Sequence, residues 1–228
     1  MYMDPYYLFL VIPAFILSII AQIAVKSTYR KMSKVMNSRG LTGAAAAAAV
    51  LRYYGIADVR IEQVNGTLSD HYDPRKKVIR LSDGVYGNAS IAAVGIACHE
   101  AGHAAQHAQN YSPIAIRNAI LPVCKIGSYA GIPLALVGYY LSFEPLILIG
   151  LALYSAIAIF QLVTLPVEFN ASTRALAVID EVGLLGDEER SKASKVLTAA
   201  AMTYVASLAV TLANLVRFVA LFSGKRRN

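Results

Sequence analysis

The sequence predicts a mainly α membrane protein, with about four transmembrane helices and a small α+β domain carrying the chemistry. Three observations predict it. Apolar residues make up 57% of the 228 and charged residues 15%, against about a quarter charged in ordinary soluble domains. Four apolar stretches reach or approach the roughly 20 residues that a helix needs to cross a bilayer. Between two of them, an alanine-rich segment gathers three of the chain's four histidines within nine residues. The net charge of +7 reads as cytoplasmic-side loops, because no nucleic-acid-binding motif accompanies it. Nucleic acid is therefore not an expected partner.

The first element, residues 1–25, holds an uncharged run from Tyr6 to Val25. It is long enough to span, and too long and without the basic start of a cleaved signal peptide. Pro13 is expected to kink it. Lys26, Arg30, Lys31 and Lys34 follow at once, whereas only Asp4 precedes it. The positive-inside rule then places the N-terminus outside and the next segment in the cytoplasm.

Residues 26–112 form the expected cytoplasmic-side α+β segment. Residues 26–88 are its most polar part, with 11 Lys/Arg and 5 Asp/Glu. Thr42 is placed to cap an alanine-run helix (Ala44 to Ala49) that Gly55 can end. That helix reads as one packing closely on another. Asp58–Val64 and Lys76–Leu81 alternate apolar and polar residues like strands, with Ser69–Arg75 as a turn between them. A small two- or three-stranded sheet is expected, which either simply covers the following helix or offers an extended peptide an edge to pair with.

Ala89–Gln109 then predicts a helix, with Asn88 or Ser90 as its N-cap. It contains His99-Glu100-Ala101-Gly102-His103, an instance of H-E-x-x-H. Residues four apart share a helix face, so both imidazoles can reach one Zn2+. Glu100, one step round, is placed to deprotonate an activated water instead of binding the metal. Cys98 is turned away from His99 and reads as a buried small hydrophobe. It and Cys124 form no paired motif, which fits a reducing compartment.

Residues 113–165 predict a transmembrane hairpin. Its first arm reaches Leu141 and carries Arg117 and Lys125; Ser142–Pro145 is a tight loop; Leu146–Val163 returns. Residues 166–203 come back to the first side, with a helix opening near Glu168 after Pro166, and residues 180–195 read as a surface turn and helix start. Residues 204–228 hold a fourth apolar stretch, Val205–Phe222, and the tail Lys225-Arg226-Arg227. Four crossings put that tail outside, while its basic residues favour inside. Either the last segment is re-entrant or interfacial, or the rule fails at this end.

Two residues compete for the third ligand that a catalytic zinc site needs. His107 continues the ladder from His103, but a straight helix carries it roughly 12 Å along the axis from His99. Residues 104–106 offer no break, so His107 reads as a supporting or surface group. Glu168, 65 residues beyond His103, is the better candidate, although a glutamate in a helix's first turn also needs no metal to explain it.

Two blocks carry a resemblance: LSDHYDPRKKVIRLSDGVYGNASIAAVGIACHEAGHAAQ at 68–106 and LPVEFNASTRAL at 165–176. With the order of spans, they resemble the bacterial neutral zinc membrane metallopeptidases of the YugP-like group. These are distantly similar to HtpX-like and prenyl-protein membrane peptidases, which pair H-E-x-x-H with a downstream E-x-x-A. The resemblance implies a zincin-like domain, zinc ligands at His99, His103 and Glu168, and a catalytic base at Glu100. Where related patterns put an acidic residue after E-x-x-A, this chain has Ser172. Ser172 or Asn170 must then supply the orienting group.

The expectation is a multi-pass cell-membrane zinc metallopeptidase with one Zn2+ per chain and its site on the cytoplasmic side. Peptides or membrane proteins are the expected substrates and the lipid bilayer the surroundings; a homo-oligomer is left open. Arg174, His71 or a tyrosine is the expected oxyanion partner, His71 being read first as structural. The alternative is a non-catalytic membrane scaffold or regulator with a structural zinc clamp. A transporter built on Lys125, Asn214 and Arg217 is a weaker third reading.

Overall fold

The computed structural model describes residues 4–224, with side chains as far as residue 222. A π-helical turn at Tyr7–Val11 leads into α1 (Ile12–Met32), then α2 (Gly43–Tyr53), β1 (Arg60–Val64), β2 (His71–Asp73) and β3 (Val78–Ser82). The short α3 (Asp83–Tyr86), α4 (Ile91–Ala108), α5 (Ser112–Tyr140), α6 (Glu144–Glu181) and α7 (Asp187–Gly224) follow. Four helices, Tyr7–Met32, Ser112–Tyr140, Glu144–Glu181 and Asp187–Phe222, are long and apolar enough to cross a membrane. The chain is thus a mainly α, multi-pass membrane protein with a small α+β part. It divides into two compact units.

Among the described residues, the membrane unit comprises residues 4–22, 115–165 and 202–224. Its hairpin of α5 and α6 is packed backbone to backbone. A Cβ on Gly127 would lie 2.1 Å from the Leu153 carbonyl oxygen, and one on Gly150 would lie 2.6 Å from that of Gly131. Lipid offers helices no hydrophobic drive to associate, so such close approach through small residues holds them together. The loop is shorter than Ser142–Pro145, since α6 begins at Glu144; Phe143 N–H closes it on the Gly138 carbonyl at 2.8 Å.

At the far ends of this unit's helices, Arg217 donates from Nε and Nη2 to Asp4 Oδ2, at 2.9 and 2.8 Å. Its guanidinium also lies over the Tyr7 ring, 5.0 Å from the centroid. The beginning of the first span therefore meets the last turns of the fourth. Lys225-Arg226-Arg227 lies outside the described residues. Of the residues behind the transporter reading, Arg217 is paired with Asp4 and Asn214 donates to the Val210 carbonyl of its own helix.

The second unit comprises residues 23–114 and 166–201. Thr42 caps α2 by accepting from Ala45 N–H at 3.3 Å. Gly55, at φ +67°, ends it, with Ile56 N–H returning to the Leu51 carbonyl at 2.9 Å. This is a left-handed C-terminal cap that glycine adopts without strain. The alanine run is core: Ala46, Ala47 and Val50 are fully buried in one cluster with Ala93, Ala97 and Ala101 of α4.

The sheet has the order β1-β3-β2, with β1 parallel and β2 antiparallel to β3. β2 lies inside the stretch expected to be only a turn. The turn itself is Asp73 accepting from Arg75 and Lys76 N–H, at 3.0 and 3.2 Å. β3 is buried at Val78, Ile79, Leu81 and Ser82, as a strand covered on both faces must be.

The helix expected to open near Glu168 and the apolar helix expected from residue 204 are each part of a longer one. α6 runs unbroken through Pro166, and α7 runs unbroken across residues 203 and 204. A proline removes one backbone donor, a loss that surrounding packing can bear. The change from apolar to polar sequence there marks a change of surroundings and not the end of a helix.

Candidate metal centre

α4 begins at Ser90, whose hydroxyl accepts from Ala93 N–H at 3.2 Å. It is buried along almost its whole length. Its helical twist brings His99 and His103 together, ring centroids 4.7 Å apart and nearly perpendicular. The facing stripe of α6 is Val167, Glu168, Ala171, Ser172, Ala175, Val178 and Ile179, all buried. That spacing is one face of a helix. Glu168 belongs to the stripe and is 4% exposed.

Glu168 Oε2 lies 3.4 Å from His99 Nε2 and 3.6 Å from His103 Nε2. One ligand atom from each of the three lies within 4.8 Å of the others. Ordinary N–H···O hydrogen bonds run roughly 2.7–3.2 Å, so these separations are long for direct bonding. Two donors about 2.1 Å from one zinc at the tetrahedral angle lie about 3.4 Å apart. The donor set, two imidazoles and one carboxylate with a side left open, is also that of a catalytic zinc. The residues fit the ion.

The close approach of α4 and α6 has a simple cause. A Cβ on Gly102 would stand 2.6 Å from the Ala171 carbonyl oxygen. The glycine of HEAGH and the alanine of E-x-x-A are thus the contact that brings Glu168 within reach. Gly102→Ala is expected to push the helices apart, costing about 1–3 kcal/mol as an overpacked site does. It should lower both the thermal midpoint and the zinc content of the purified protein; a variant with native values of both would show that this contact positions nothing.

Each histidine is held from behind by its other nitrogen. His99 Nδ1 is 3.0 Å from Ser172 Oγ, and His103 Nδ1 is 3.0 Å from Gln106 Oε1. Such partners orient a ligand and raise its basicity. Ser172 stands where the related pattern has an acid and makes the contact expected of that acid. Ser172→Ala is expected to weaken zinc binding about tenfold, measured by competition with a chelating dye; an unchanged affinity would leave Ser172 without a role.

Glu100 is buried on α4, and its carboxylate makes no hydrogen bond among the described residues. Burial works against a charged His103, but the carboxylates of Glu168 and Glu100 outweigh it and raise that imidazole's pKa. Protons therefore compete with a metal at higher pH than at a free imidazole. Cys98 is fully buried, its thiol pushed up to about 12, as suits a small core residue.

The remaining expected residues sit elsewhere. His107 Nδ1 is 3.0 Å from the Tyr72 hydroxyl, and His107 is not in the ligand cluster. His71 is exposed on β2, with Nδ1 2.8 Å from the Ser69 carbonyl oxygen. Arg174 donates to Asn170 Oδ1 at 2.7 Å and to Gln109 Oε1. The residue that sequence reading passed over is Gln106, seen there only as a failure to break the helix. Its signal was a long polar side chain one turn beyond His103, directly after two alanines.

Comparison with known proteins agrees with the geometry. Residues 7–223 match the family described as "Putative neutral zinc metallopeptidase". The chain is 47% identical over 220 residues to the "Putative membrane protease YugP" of Bacillus subtilis (strain 168), covering 96% of this chain and 98% of that protein. No solved structure matches.

Proposed function

We propose, since the chain belongs to this neutral zinc metallopeptidase family, that it hydrolyses peptide bonds at the His99–His103–Glu168 centre with Glu100 as general base. The observation that carries the reading is the meeting of Glu168 with the two imidazoles beside a buried carboxylate that is not a ligand. A zinc ion held there supplies Lewis acidity, polarising a carbonyl and lowering the pKa of water. Glu100 accepts the water's proton and delivers it to the leaving amine. Glu168, buried beside the two rings, would offset the ion's charge. Ser172 and Gln106 keep the two rings turned so that each Nε2 faces the carboxylate.

The substrate class is peptide or membrane protein. β2 is an edge strand and packs on α4, so its free side offers backbone pairing to an extended chain. The site is assigned to the cytoplasmic side. Lys26, Arg30, Lys31 and Lys34 follow the first span, and residues 23–114 and 166–201 lie between alternate crossings. The competing reading is a structural zinc clamp without catalysis. The experiment that separates them is cleavage of a casein-like substrate by detergent-purified protein beside Glu100→Gln, with zinc measured in both. Equal cleavage by the two proteins refutes the peptidase.

A further inference from the structure

Gln106 is fully buried and makes three hydrogen bonds with its amide. Which end of an amide faces which partner is decided by the partners' chemistry. Nε2 faces the Val167 carbonyl at 2.7 Å and Asn170 Oδ1 at 3.0 Å. The carbonyl can only accept. Asn170 Oδ1 is an acceptor as well, because Arg174 Nε, a permanent donor, points at the same oxygen from 2.7 Å. Arg174 is held in turn by Gln109 Oε1 and by the rings of Tyr54 and Tyr111, each 5.9 Å from its guanidinium carbon. Both protons of the Gln106 amide are therefore committed to α6.

Only Oε1 is left to face His103 Nδ1, at 3.0 Å. An amide oxygen accepts, so Nδ1 must carry a proton, and in the neutral ring Nε2 then carries the lone pair. That lone pair faces Glu168 Oε2. Reversing the amide would set N–H groups against Nδ1 and an oxygen against two acceptors, in a buried place where unmet polar groups are costly. His99 has no such constraint, since its partner Ser172 is a hydroxyl that can donate or accept.

We infer that Gln106 is a positioning residue: locked by the Val167 carbonyl and the Arg174-anchored Asn170, it holds His103 in the tautomer whose Nε2 is free for a metal. The inference rests on the metal-site reading above, yet its test does not need the metal. The full chain, labelled with ¹⁵N-histidine and purified metal-free in detergent, is studied above the imidazole titration range, at about pH 9. Long-range proton–nitrogen spectra report which ring nitrogen carries the proton. His103 is expected to be protonated at Nδ1 in wild type. Gln106→Met, close in volume but without hydrogen bonds, should bring in the Nε2-protonated form at His103 and leave His99 as it was. Its zinc affinity should fall about 10–100-fold, while a merely structural role would change the thermal midpoint and not the tautomer. Should Gln106→Met fail to fold, Arg174→Met, altering a half-buried side chain outside the ligand cluster, is read instead and should shift the His103 populations in the same direction. A wild-type His103 protonated at Nε2, or a variant with unaltered tautomer, overturns the inference. Absence of zinc binding in wild type with the expected tautomer would instead refute the metal reading.

Discussion

Alanine at position 168 is expected to leave the purified protein nearly free of zinc, and wild type is expected to carry one ion per chain. Glu168 is the single charged member of the trio and the member that comes from α6. Without it two imidazoles remain, neighbours on one helix. Apparent zinc-binding energies of structural sites run about 10–16 kcal/mol for four ligands, so each ligand is worth roughly 3 kcal/mol. The expected loss is then about a hundredfold or more in affinity. The fold should survive: alanine suits a helix interior, and the change removes a buried charge. Metal analysis after gel filtration in detergent, with a thermal melt as the control, reads the result. Equal zinc in variant and wild type would take Glu168 out of the ligand set.

What could be read from the chain followed from how local each feature is. The metal helix was legible because its cap, alanine content and histidine spacing all lie within one segment. Ser90, Thr42 and Gly55 act where local chemistry put them. The four spans were legible because bilayer thickness dictates a length of apolar sequence. Glu168 stood out as a carboxylate just past an apolar span, and it lies beside His99 and His103.

The features that were missed depend on partners distant in sequence. β2 is a strand only because β3 pairs with it; alone, Asp73-Pro74 reads as a turn. Pro166 lies inside a helix because packing outweighs one lost donor, a balance no local rule contains. Asp4 and Arg217 stand 213 positions apart. Gln106 carries no motif, and its importance appears only when Val167, Asn170 and Arg174 are set around it. Gly102 and Ala171 belong to the same class. Each is a small residue of a short motif, and the reason for both is that one backbone touches the other.

Glutamine at position 100 is expected to abolish peptide cleavage while zinc stays in place. The substitution keeps the volume and polarity of the side chain and removes only its ability to take up a proton. General acid–base catalysis by a placed group contributes about 10²–10⁴-fold, so kcat/KM should fall by at least the lower figure. Zinc content should not fall, because Glu100 is not among the atoms that cluster as ligands. Its effect on the metal runs, if anything, the other way. The Glu100 charge helps to raise the pKa of His103; without that charge the imidazole loses its proton at lower pH. Zinc then meets less competition as the solution is acidified, and retention of metal below about pH 6 should match or exceed wild type. A clamp that only ties α4 to α6 gains nothing from a carboxylate at this position and would lose nothing with it. Loss of cleavage together with undiminished zinc is thus the pattern that a hydrolase produces and a clamp cannot. Loss of both at once would mean that Glu100 holds the site together instead of acting in it.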